Sequence, residues 1–121
     1  MKYFRLYADH DGESHFDEIE ETCTPMEYAP PAPPLDVSRP IESTRYIFVR
    51  FPADWQSDFH QTPRRQLFVV LSGEIEGDAS DGARMTFGPG DVLLMEDTEG
   101  RGHTARVISQ MDVSALIVHI E

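Results

Sequence analysis

His60-Gln61-Thr62-Pro63-Arg64-Arg65-Gln66-Leu67-Phe68-Val69-Val70-Leu71-Ser72-Gly73 decides the fold of this chain. The second half is a short run of β-branched, aromatic and leucine side chains closed by Ser72-Gly73, which is the length and composition of a strand. Carried backwards, the two-residue period puts His60, Thr62, Arg64, Gln66, Phe68 and Val70 on one face, with Pro63 as the one place where the period can break. That face changes from polar to apolar along its length. A barrel strand with one wet end and one packed end has this pattern.

Similar runs surround it: Arg45 to Phe51, Glu74 to Glu76, Arg84 to Phe87, Val92 to Met95, His103 to Ile108 and Val113 to Ile120. Between them stand turn signals: Ser72-Gly73, Asp81-Gly82, Gly88-Pro89-Gly90-Asp91 and Glu99-Gly100-Arg101-Gly102. No stretch keeps a 3.6-residue period with caps at both ends. The expectation is an all-β domain closed into a jelly-roll barrel with a polar-lined cavity.

Residues 1–40 read as an N-terminal arm on a barrel of residues 41–121. Tyr3 to Tyr7 and His15 to Ile19 are strand-like, and the Asp11-Gly12 turn between them makes a hairpin that adds strands to an edge. Ala29-Pro30-Pro31-Ala32-Pro33-Pro34 lacks backbone donors at its prolines and predicts an extended strap across the barrel.

The length of 121 residues suits one domain. Ten basic against 22 acidic residues give a net charge of −12, a field that repels phosphate backbones and anionic lipid. No nucleic acid and no membrane is expected as a partner. The lone cysteine, Cys23, excludes an internal disulfide and fits a reducing compartment, and the start of the chain lacks a signal-peptide apolar run, so the expected location is cytoplasmic.

Glycine-rich nucleotide loops, a nucleophile elbow and paired-cysteine zinc spacings are absent, which leaves the histidines. His60 and His103 come from separate strands, and two imidazoles facing one cavity serve either a metal or proton transfer. Arg64, if directed inward, would hold a small carboxylate or phosphate. Trp55 is placed to wall one side of the cavity or close the barrel end. Glu96 and Asp97 are candidates for an acid-base pair at the mouth. His119 reads as a core histidine with a backbone hydrogen bond.

The stretch from Trp55 to Ile108 resembles the cupin family. In the register of that family's first motif stand His60, Thr62, Gln66 and Gly73; its second is matched by Pro89-Gly90-Asp91, the strand Val92 to Met95, the loop Glu96 to Gly102, and His103. Pro63-Arg64-Arg65-Gln66 and the stretch from Glu96 to His103 are similar to a subgroup of small bacterial cupins that generally carry no assigned function. The resemblance implies a cupin-type jelly roll of about 8–10 strands. It also implies a divalent transition metal (iron, manganese, nickel, copper or zinc), held here by His60, Gln66 and His103. Thr62 stands in place of one family histidine and Gln66 in place of the carboxylate, so metal affinity is expected to be reduced.

Two functions follow from this reading. One is metal-assisted conversion of a small polar or anionic molecule, as a dioxygenase, isomerase or decarboxylase, with Glu96 or Asp97 moving protons and Arg64, Thr62 and Trp55 holding the ligand. The other is a non-catalytic ligand-binding or sensor cupin with a degenerate metal site. A blander third reading is an interaction module that uses the arm. The resemblance further implies a homodimer closed through edge strands.

Overall fold

The computed structural model describes residues 1–121, and all of its regular structure is β. No helix is long and apolar enough to cross a membrane. Eleven strands run β1 Lys2–Ala8, β2 Ser14–Glu20, β3 Cys23–Met26, β4 Leu35–Ser38, β5 Ser43–Phe51, β6 Gln66–Ser72, β7 Ile75–Ala79, β8 Arg84–Phe87, β9 Val92–Glu96, β10 His103–Val107 and β11 Val113–Ile120. Each apolar run in the sequence from Arg45 onward became a strand, with ends moved by at most a few residues.

A six-stranded sheet, ordered β2-β1-β9-β6-β11-β5, faces a three-stranded sheet, β10-β7-β8. Leu6, Phe68, Val70, Leu93, Ala115 and Ile117 from the first close over Ile75, Phe87 and Val107 from the second, and all are buried. Alternation along β6 explains its share: Gln66, Phe68 and Val70 point inward, Leu67 and Val69 outward. Beyond β10 the irregular segment Trp55 to His60 runs as a further edge. Val107 N donates to Trp55 O at 2.9 Å, Ser57 N to Ala105 O at 2.9 Å, and His60 and His103 exchange both backbone bonds at 3.0 and 2.9 Å.

The N-terminal hairpin is built into the barrel. β1 pairs antiparallel with β2 and parallel with β9, and Leu6 is fully buried. The proline-rich stretch departs from the expected straight strap. β3 and β4 pair antiparallel, and Ala29 to Ala32 form the turn between them, closed by Ala32 N donating to Ala29 O at 2.9 Å. Prolines suit a tight turn as well as an extended run, and pairing partners on both sides decided between the two.

Candidate functional site

The barrel holds a cavity of about 130 Å3. Its walls are mostly apolar, among them Leu6, Phe16, Trp55, Phe68, Phe87 and Ile117, with His60, Thr62, Gln66 and His103 gathered at one end. The polar-lined cavity expected from the sequence is therefore mostly apolar, with Glu76 of β7 the one charged residue in its lining beyond that group.

Three elements assemble the polar end. The segment before β6 supplies His60 and Thr62, β6 itself supplies Gln66, and the loop after β9 leads through Asp97 into β10, whose first residue is His103. Thr62 N donates to Asp97 O at 3.1 Å, which fixes the two segments to each other. Gly102 sits at φ +76°, and a Cβ there would lie 2.1 Å from His60 O. Only glycine permits this approach.

Within this frame runs a buried chain of hydrogen bonds. Thr62 Oγ1 donates to Asp97 Oδ1 at 2.6 Å, and His103 Nδ1 donates to Asp97 Oδ2 at 2.6 Å. Asp97 is wholly buried, and Thr62 and His103 nearly so. Its two oxygens are thus both engaged, and the His103 ring is held with Nε2 as its remaining acceptor. His60 Nδ1 donates to Asp58 O at 2.9 Å, which leaves the second imidazole in the same condition. The two rings are 4.5 Å apart, centroid to centroid. Gln66 Nε2 makes one hydrogen bond, to Met95 Sδ at 3.8 Å.

His60, Thr62, Gln66, Trp55 and His103 thus share one cavity. Asp97 joins them, but as a buried acceptor behind His103 in place of an acid at the mouth. Glu96 does not join: alternation turns it to the outside, where Arg65 Nε donates to it at 2.6 Å and Arg5 lies 3.6 Å away. Arg64 is exposed and absent from the lining, because the chain bends at Pro63 and Arg64 and resumes its alternation only at Gln66. His119 lies in register with Gln66 and Arg45, and its Nδ1 is buried without a partner, so the backbone bond expected for it is not made. Burial, with Arg64 and Arg45 nearby, holds its pKa below the ordinary imidazole value.

Two features escaped sequence reasoning. Leu6 and Phe16 reach the cavity from the N-terminal hairpin, through a parallel pairing of β1 with β9 that leaves no local signal. The Thr62-Asp97-His103 chain joins residues 35 positions apart through side chains, and only the polar character of each hinted at it.

The divalent metal that the fold implies needs more donors than this site offers. Two imidazole Nε2 atoms and one amide oxygen are at hand, and no group of three His, Cys, Asp or Glu side chains gathers anywhere in the chain. Asp97, the nearest carboxylate, is taken up by Thr62 and His103. This falls short of the usual set of three good protein donors.

A jelly roll of this topology, with its cavity opening between the β6 and β10 ends, defines the cupin fold. Comparison with solved structures agrees. A cupin domain from Bordetella pertussis matches with a TM-score of 0.51 at 14% identity, over 85% of this chain and 97% of that one. The Cnp3 cupin domain of Schizosaccharomyces pombe gives 0.52 at 13% identity, over 99% and 82%. A Cupin 2 conserved barrel domain protein from Salinispora arenicola gives 0.52 at 15% identity, over 82% and 74%. No protein-family model and no curated protein matches the sequence.

Proposed function

We propose that the cavity binds one compact, largely apolar molecule through a single polar or acidic group, and that His103 and His60 receive that group and exchange a proton with it. The observation that carries the reading is the chain Thr62-Asp97-His103, which holds one imidazole with a free Nε2 beside a second imidazole at the end of a mostly apolar cavity. Cavities of roughly 150 Å3 with apolar walls hold benzene, so a single-ring or branched molecule of similar bulk fits the volume here. Proton transfer needs a base of fixed tautomer within reach and no further protein donor. Of the reaction classes implied by the fold, isomerisation by proton movement makes the fewest demands on this residue set.

A metal-assisted reading keeps one observation in its favour. A carboxylate behind an imidazole is also the arrangement that orients metal-binding histidines. Elemental analysis of protein purified without chelator, and again after reconstitution with iron, manganese, nickel, copper or zinc, separates the two. About one ion per chain, lost in a His60→Ala, His103→Ala double variant, would favour the metal. For the cavity reading, the probe is a set of single-ring carboxylic acids and phenols titrated into metal-free protein. Expected is saturable binding that His103→Ala weakens at least tenfold; binding unaffected by that substitution would contradict the proposal.

A further inference from the structure

Among the polar side chains at the end of the cavity, His60, Thr62 and His103 have their protons placed by the protein. Thr62 Oγ1 and His103 Nδ1 donate to Asp97, and His60 Nδ1 donates to Asp58 O. Gln66 is the exception. It is only 6% exposed, yet its carboxamide makes a single bond, from Nε2 to Met95 Sδ at 3.8 Å, and a thioether is a weak acceptor. Its Oε1 accepts nothing from the protein. That oxygen is not sealed in, because His119 Nδ1 is the one buried side-chain nitrogen or oxygen without a partner. Gln66 therefore turns the free side of its amide to the cavity that it lines.

Packing does not call for a glutamine here. On β6 it begins the inward row that continues with Phe68 and Val70, and across the sheet it pairs with Met95 of β9. An aliphatic side chain of similar length would fill the same space at the loss of one weak bond. A buried carboxamide without its hydrogen bonds costs stability, so its place in this row points to a partner from outside the chain. What Gln66 adds to the site is an N–H donor beside an oxygen acceptor. The imidazoles, with Nδ1 engaged, offer only the acceptors His60 Nε2 and His103 Nε2.

We propose that Gln66 selects the ligand, by pairing with a planar group that carries a carbonyl oxygen and a proton donor side by side, a carboxamide or an un-ionised carboxyl. The ligand's carbonyl accepts an N–H of Gln66, and its own N–H or O–H goes to Gln66 Oε1, as two amides pair edge to edge. Apolar walls favour the un-ionised form of an acid over its carboxylate. A lone hydroxyl, as in a phenol, cannot meet both ends of the amide at once. This rests on the cavity reading above and narrows it to one class of polar group.

Calorimetric titration of chelator-treated protein with benzamide, benzoic acid, phenol and toluene tests it. At least one of benzamide and benzoic acid should bind tenfold or more tightly than phenol and toluene, and the better of the two tells carboxamide from carboxyl. In Gln66→Met and Gln66→Leu that preference should vanish, with phenol and toluene bound within about threefold of wild type. A preference that survives both substitutions, or four rings bound alike by wild type, overturns the role of Gln66 and leaves the cavity reading standing. Four rings that do not bind at all overturn both. Stability gives a readout without ligand. An amide held for a ligand is dispensable to the empty protein, so the melting temperature of Gln66→Met or Gln66→Leu should equal or exceed that of wild type. A fall in both would mean that the carboxamide is bonded within the chain, and overturns the proposal.

Discussion

Asp97 shows how much one buried carboxylate decides. Replacement by Asn keeps the volume but gives Thr62 and His103 an amide in place of a two-oxygen acceptor, so one of the two bonds to it is lost. A stability loss of about 1–3 kcal/mol is expected for a buried group left unpaired. Imidazole nitrogen shifts should report that His103 no longer keeps its proton on Nδ1, and an unchanged tautomer in Asp97→Asn would contradict the assigned role. His15 makes a second prediction. Its ring bridges Asp9 and Asp81 at 2.7 Å on both sides, so that both nitrogens donate. Hydrogen bonds to Asp9 and then Asp81 raise its pKa above the ordinary value of 6.5. The pKa of Asp9 is lowered chiefly by its bond to His15, and that of Asp81 chiefly by the backbone N–H of Ala83, with His15 adding to it. The imidazolium's contribution to stability is complete below the unfolded value and is lost as pH rises through the folded one. The carboxylates' contribution is present above their unfolded value and is lost as pH falls through the folded one. The clamp is therefore strongest between about pH 4 and 6.5. Thermal melts should show wild type more stable than His15→Gln at pH 5.5, with the gap closing above pH 8; a gap that persists at high pH would count against the clamp.

The elements were legible in the sequence where a strand is a local fact. β8 and β11 match their apolar runs end to end, and the turn residues between them mark each reversal of the chain. Legibility stopped where structure depends on a distant partner. The bend at Pro63 and Arg64 broke the period that had placed Arg64 inside, while Thr62 and Gln66, on either side of it, remained buried. The pairing of Trp55 to His60 with β10 involves a segment with no strand signal of its own, held by backbone bonds at its irregular bridges. The same bonds make Gly102 a sensitive position. Gly102→Ala would set a Cβ against His60 O at a positive φ, so a loss of more than about 1 kcal/mol is expected, with separation of the His60 and His103 segments. Denaturant unfolding checks the first and the imidazole spectra the second; wild-type stability for Gly102→Ala would mean that this close approach is not required.

At the scale of the whole molecule, the cupin fold followed from strand count, turn chemistry and the register of two motifs, whereas the ligand did not. The difference is physical. A barrel needs only apolar runs at the right spacing, but the size and wetness of its cavity depend on side chains from the N-terminal hairpin and both sheets meeting at one place. The central claim is that a metal-free imidazole pair in an apolar cavity receives the polar group of a compact molecule. Its most direct test is the nitrogen spectrum of the histidine rings during titration of chelator-treated protein with single-ring carboxylic acids and phenols. Expected are saturable shifts at Nε2 of His60 and His103 together, absent in His103→Ala. Shifts confined to His10, His15 and His119, or none until a transition metal is added, would contradict it.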